Sequence, residues 1–208
     1  MKFSRIVVTV LFAVALAVPA MAQYVGILQS AETMNKGNFK LMAAPVMAFG
    51  KEGADDEWGI SLRGGYGFTK SFDAELKVGL FDGLTFVGAD GELWLVKGRD
   101  AGIDLSLAGG LHWLLGSDDS FDIMGFEITP QLSKSVTPNL ELCAALAVSF
   151  ESIQDAPKWM DDSFTRLHLV PGFEYRLSST VDLAAEFGIA LNDDSHNYLG
   201  VGLALYIR

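Results

Sequence analysis

Cysteine is nearly missing from this 208-residue sequence, which holds one, Cys143. A lone thiol excludes a disulfide-stapled scaffold and reads as a packed free side chain. Proline is scarce at six residues and charged residues make up only 20%, so the composition is not that of a disordered or coiled-coil chain. Positive charge is the scarcer sign: 15 Lys and Arg stand against 26 Asp and Glu, for a formal net charge of −11. That balance argues against a protein that grips nucleic acid through its phosphates. The length fits one domain. Long apolar runs are lacking after the first 22 residues, so no later stretch of about 20 apolar residues offers a membrane helix.

Residues 1–22 differ from the rest. Lys2 and Arg5 precede an apolar run from Ile6 to Val18, and Ala20-Met21-Ala22 closes the segment. This is the three-part order of a secretory signal peptide, with cleavage expected before Gln23 and export of the mature chain.

What the chain has in quantity is hydrophobic residues, 50% of the total, and 22 glycines. From Gly37 onward the apolar residues alternate with period two, the mark of strands with one apolar and one polar face. Phe72, Ala74, Leu76, Val78 and Leu80 alternate with Asp73, Glu75, Lys77 and Gly79, and Leu140 to Phe150 and Val181 to Leu191 read the same way. The pattern predicts ten strands near 38–49, 58–68, 72–80, 85–96, 101–113, 122–132, 139–150, 164–177, 181–191 and 198–207. Connections alternate between short turns (69–71, 97–100, 133–138, 178–180) and mostly longer acidic loops (50–57, 114–121, 151–163, 192–197), with 81–84 the short loop. Hairpins joined this way have a turn end and a loop end, with both termini at the turn end.

The direction of the apolar face sets the class. In a soluble barrel it points inward; in a membrane barrel it points to lipid and the polar face lines the lumen. No charged residue falls on the apolar face of the ten strands, whereas a lipid-facing charge costs about 2–4 kcal/mol at mid-membrane. The polar face is rich in small residues (Gly65, Gly67, Gly88, Gly110, Ala145, Ala147, Gly200, Gly202), as a crowded interior requires. Aromatics gather at both ends, with Phe49, Trp58, Phe81, Trp113, Phe121, Phe150, Phe164 and Tyr198 towards the loops and Phe39, Phe68, Phe72 and Tyr175 towards the turns. The expected fold is all-β, a transmembrane antiparallel up-and-down β-barrel of ten strands over 37–208, with eight strands as the alternative. Pro45 and Pro171 fall inside strands and predict a bulge or local break at each. Residues 23–36 alternate poorly and form a periplasmic N-terminal segment, lying outside the barrel or partly plugging it.

On these features the chain resembles the small bacterial outer-membrane β-barrels of the OmpA-like, OmpX-like or OmpW-like kind. Its last strand, Tyr198 to Arg208, resembles their C-terminal assembly signal, although it ends Tyr206-Ile207-Arg208 where that family ends in an aromatic. The resemblance implies a place in the outer membrane amid lipid and lipopolysaccharide, insertion by the barrel assembly machinery, turns in the periplasm and loops outside the cell. No cofactor is expected.

Sorted by that topology, the outer loops are strongly acidic, with Lys51 and Lys158 as their two bases. Four loops place an acidic pair before an aromatic: Asp55-Asp56, Asp118-Asp119, Asp161-Asp162 and Asp193-Asp194. Clustered carboxylates suit a divalent-cation rim, while Asp-Asp-Ser is also good turn chemistry. The lumen face carries ten acids and five bases. There Arg63, Lys77, Arg166 and Arg176 can pair with Asp73, Glu75, Asp90, Glu92, Glu127, Glu141, Glu174 and Glu186 in a salt-bridged network or a wet lumen. His112 and His168 face the lumen as network members. Hydrolytic pairings fare poorly: Ser106 and His112 share a face but lie roughly 20 Å apart along an extended strand. Asp193, Asp194 and His196, which resemble the Asp and His pairing of outer-membrane aspartyl-type proteases, crowd into one loop instead of facing across a cleft. The expectation is therefore a non-enzyme: a small channel preferring cations or small polar solutes, or else a closed structural or surface-interaction barrel whose loop 151–163, with Trp159 and Met160, makes contact.

Overall fold

The structure is a computed structural model that describes residues 26–51, 55–98, 102–116, 122–156 and 161–207. Ten strands run in chain order: β1 Phe39–Ala48, β2 Glu57–Gly67, β3 Phe72–Phe81, β4 Leu84–Val96, β5 Asp104–Gly116, β6 Ile123–Thr137, β7 Leu140–Ile153, β8 Ser163–Arg176, β9 Val181–Ala190 and β10 Tyr198–Ile207. Each pairs antiparallel with the next, and β10 returns to β1, Phe39 opposite Ile207, to close the barrel. The eight-strand alternative is excluded.

Period-two alternation is what makes each segment a wall element. In β3, Asp73, Glu75 and Lys77 are buried, while Leu76 between them is 67% exposed. A slip of one residue would exchange the two faces and put those charges into lipid, so the pattern itself holds the register. Leu41, Leu62, Val87, Leu111, Phe126, Leu169 and Leu203 continue the outward belt on other strands. Such a continuous apolar exterior is a liability in water and a requirement in hydrocarbon.

At the turn end Phe39, Tyr66, Phe68 and Phe72 form a chain of ring contacts with centroids 4.6, 4.9 and 5.9 Å apart, in keeping with an interfacial girdle. Three of the loop-end aromatics depart from that role: Phe81 packs against the inner apolar cluster with its ring over Gly59, and two others turn inward as well. Tyr198 is 1% exposed and points into the barrel, and Phe164 turns its ring inward under the Arg166 guanidinium.

Several boundaries differ from the periodicity reading. β6 continues to Thr137 and leaves residues 138–139 as the turn, because Ser133 faces the interior and Lys134 the exterior without breaking the alternation. Lys134 is therefore an outward charge on a strand, near the turn end, where a long side chain reaches the headgroups. β7 extends to Ile153, which moves Glu151 from the outer loop to the lumen.

Prolines open the sheet without shifting it. The β1–β10 ladder skips Ala44 and Pro45 and the β8–β9 ladder skips Val170 and Pro171, each resuming in the same register. Pro130, for which the periodicity predicts nothing, does the same between β6 and β7. Each lacks an N–H for one neighbour yet sits in the ladder to the other, so each produces a local break and none a bulge.

The segment set apart as periplasmic runs inside the barrel over residues 26–34, with Asn35 and Lys36 exposed beyond it. Ala31 is fully buried, and Leu28, Ser30 and Thr33 are nearly so. The chain leaves the lumen at Gly37, whose N–H bonds the Gly67 carbonyl, and continues into β1. A segment outside the barrel would leave its N–H groups to water; here the inward-facing acids supply acceptors.

Candidate functional site

The lumen is layered. At the loop end Val46, Ala48, Phe86, Leu114, Ile123, Ile153 and Tyr198, all near the loop ends of their strands, make an apolar cap. Gly188 gives Tyr198 its place, since a Cβ there would stand 1.9 Å from the ring.

Beneath the cap lies a charged layer. Glu151 Oε2 is 3.4 Å from Arg166 Nε, its Oε1 is 3.7 Å from His112 Nε2, and Ser149 Oγ donates to the same Oε1 at 2.9 Å. His112 stacks on Phe86 and His168 Nε2 lies 2.8 Å from the His196 carbonyl.

A ladder of ion pairs then runs round the inner wall from β1 to β6. Lys40 Nζ and Arg63 Nη2 each lie 2.5 Å from Glu75, and Lys77 Nζ stands 2.7 Å from Asp90 and 3.2 Å from Glu127. Burying these charges is tolerable only because each is matched.

Three of the remaining acids, Glu186, Glu92 and Asp73, bond the N-terminal segment directly. Glu186 accepts from the Ile27 and Leu28 N–H groups at 2.7 and 2.6 Å and from Tyr198 Oη at 3.0 Å. Two successive amides aimed at one carboxylate make an anion nest. Its backbone demands show in Gly26, at φ +75°, where a Cβ would stand 2.5 Å from Glu186 Oε1, and in Leu28, held at φ +46°. Arg63 Nη1 closes the clamp by donating to the carbonyls of Gly26 and Ile27. Further along, Gln29 Nε2 donates to Glu92, the Ala31 amide to Ser133 Oγ, which itself donates to Glu141, and the Met34 amide to Asp73 at 2.7 Å. Glu174 accepts from Tyr206 Oη, and Arg176, mostly exposed, stands 3.9 Å from Asp182.

Of the lumen charges named from the sequence, the structure brings Arg63, Glu75, Lys77, Asp90 and Glu127 together as ion pairs and joins Arg166 to Glu151. Asp73, Glu92, Glu141, Glu174 and Glu186 instead bond amides, hydroxyls or a carboxamide. Lys40, Glu151 and Asp182 do not figure among the pairs expected from the sequence. The excess of lumen acids over bases was the available signal, since surplus buried acceptors need donors from somewhere.

The rim is different. Asp118 and Asp119 lie outside the described residues, as do Trp159 and Met160. Asp55, Asp56, Asp161, Asp162, Asp193 and Asp194 are exposed; Asp56 Oδ1 accepts from the Gly50 amide within its own loop, and the Asp193 carbonyl accepts from Lys51 Nζ of the β1–β2 loop. Among the described residues no three His, Cys, Asp or Glu are placed to hold a metal ion, so the described rim aspartates are not gathered into a cation centre. His196 is pushed down to about 4 by burial, by Lys51 and by Arg166. A neutral imidazole results, without the carboxylate-raised basicity of an Asp and His catalytic pair.

An apolar exterior, a charged interior and a closed antiparallel ring define the class: the chain has the fold of a small outer-membrane β-barrel. No protein-family model matches it, and no curated protein sequence does. Among solved structures it is similar to the translocator domain of the autotransporter NalP from Neisseria meningitidis, at 12% identity and a TM-score of 0.50 over 85% of this chain and 90% of that one. The KdgM porin (8% identity, TM-score 0.48, 81% and 99% covered) and Ail of Yersinia pestis in a nanodisc (13%, 0.43, 83% and 100%) are looser matches. These likenesses speak to the fold alone.

Proposed function

We propose that the protein is a closed outer-membrane barrel, plugged by its own N-terminal segment, that serves as a structural or surface-interaction protein. The clamp of Glu186 and Arg63 on residues 26–28 carries this reading, because it fixes backbone across the middle of the lumen. The apolar cap supports it from the loop end. Residues 1–22 act as a cleaved export signal, the barrel assembly machinery inserts the chain, lipid and lipopolysaccharide surround the apolar belt, and the acidic loops face outward. No catalytic role is assigned.

A cation-preferring channel is the second reading, favoured by one observation. Residues 27–34 are held by side chains of the wall and join no strand ladder, so withdrawing them would break no sheet pairing and would leave an acid-rich passage. Planar-bilayer recording of the refolded mature chain, and of a chain lacking residues 23–34, separates the two. The closed reading expects silence from the first; cation-selective steps from the second would identify the segment, and not the apolar cap, as the seal. Stable steps from the intact chain would overturn the closed reading.

A further inference from the structure

On one side of the barrel the outward belt of large side chains is interrupted. The outward positions of β2–β5 include Gly64, Ala74, Ala89, Gly91 and Gly109. Register gathers them: Ala74 stands opposite Gly91 and Gly91 opposite Gly109, while Gly64 and Ala89 flank Leu76. The result is a groove of about 700 Å³ that opens among the turn-end rings of Phe68 and Phe72 and runs across the wall towards Trp113. Its floor is open. A Cβ at Gly64 would find nothing nearer than Leu41 at 3.8 Å, and one at Gly109 nothing nearer than a backbone carbonyl at 3.4 Å. Measured against the ~150 Å³ that accommodates benzene, the groove has room for a whole acyl chain.

The turn end of the groove carries charge of one sign. Lys70 occupies the turn between Phe68 and Phe72, and Lys36 precedes Gly37, whose N–H bonds the Gly67 carbonyl; both lysines are exposed. Lys97 joins them, donating from Nζ to the Lys70 carbonyl at 3.1 Å. Glu32 and Asp104 border the hollow that Lys70 and Lys97 share, but Asp104 is bonded to Trp94 and to the Gly98 amide. No described carboxylate forms an ion pair with any of the three lysines. In a chain of net charge −11 this local excess of cations is an observation separate from the shape of the groove.

An apolar trough with cations at one end matches an amphiphile that has a hydrocarbon tail and an anionic head. A second copy of the chain fits less well. Two copies meeting through this face about a twofold axis would set groove against groove, leaving both unfilled, and lysines against lysines.

We propose that the groove across β2–β5 binds one anionic phospholipid, an acyl chain lying over Gly64, Ala89 and Gly109 and the phosphate held by Lys36 and Lys70. The site belongs to the outer wall, so it stands or falls separately from closure of the lumen.

The test is native mass spectrometry of the refolded mature chain in detergent, titrated with phosphatidylglycerol or with phosphatidylethanolamine of identical chains. One phosphatidylglycerol is expected to be held at least about fivefold more tightly than phosphatidylethanolamine, with each lysine removed costing about fivefold. Lys36→Gln combined with Lys70→Gln should bring the two lipids to equal affinity. Gly64→Leu combined with Ala89→Leu fills the floor from outward positions that lipid already faces, and should weaken both lipids about tenfold. Lys134→Gln, on β6 and outside the groove, should change neither. Heat-modifiable migration verifies folding of every variant. Failure to retain phosphatidylglycerol, equal affinity for both lipids in the unsubstituted chain, or undiminished binding by the floor-filled variant would each overturn the site. A lipid-free dimer lost on filling the floor would overturn it too, by giving the face to a second copy. Conductance from an intact chain that still selects phosphatidylglycerol would refute closure and leave the site standing; a silent chain that holds no lipid would refute the site alone.

Discussion

Replacing Glu186 with Ala is the sharpest perturbation of the plug. The carboxylate is almost fully buried and accepts from two amides and one hydroxyl. A hydrogen bond to a charged group contributes about 1.5–3 kcal/mol, so loss of the two amide bonds weakens the clamp by about 3–6 kcal/mol. At about 1.4 kcal/mol per tenfold, the population of segment released at this point rises roughly a hundredfold to ten-thousandfold. The wall should survive, because Arg63 keeps Glu75 as its partner. Amide hydrogen exchange by NMR in micelles reads the effect at Ile27 and Leu28. Met34, anchored separately on Asp73, serves as an internal reference and should lose less protection. Unchanged protection at Ile27 and Leu28 in a folded Glu186→Ala barrel would refute the clamp as the element that holds the segment.

The same geometry gives three further expected outcomes. Leu76→Arg places a charge on the outward face, and should destabilise the barrel by about 2–4 kcal/mol in bilayer unfolding titrations; a neutral result would mean that this face meets water. Lys77→Met leaves Asp90 and Glu127 without their shared cation, and should cost about 3–5 kcal/mol in the same assay. His196 is depressed in the fold to about 4 from an ordinary 6.5, so the unfolded chain binds the extra proton between those values. Its contribution to stability is present above pH 6.5 and is lost as pH falls towards 4. His196→Asn should therefore flatten the pH dependence of stability in that window, and an unaltered slope would count against the burial of this ring.

Much of the wall was legible from the chain because a strand's period is short and local: Phe72 to Leu80 declares both faces within nine residues. Strand ends were less so, since Ser133 to Thr137 keep the alternation going in polar residues that also make good turns. Contacts across the lumen were least legible. Ile27 and Glu186 are 159 positions apart, and nothing in the spacing of either indicates the other. Alternation places the lumen acids on the inward face, but half of their partners are backbone amides and hydroxyls, which carry no charge pattern to read. Tyr198 was misplaced for a related reason: an aromatic at a strand end suits a girdle and a cap equally, and only the space above Gly188 decides.

The proline breaks divide the ring into unequal arcs. From β1 to β6 the pairing is continuous apart from a bulge at the turn end of β4, and the same arc bears the ion pairs of Lys40, Arg63 and Lys77. The seams at β6–β7, β8–β9 and β10–β1 each lack rungs. Mechanically, the molecule is a stiff half-shell closed by a compliant one. Lateral pressure from the bilayer will be taken up by bending along the three proline seams, and the cross-section will flatten on that side first.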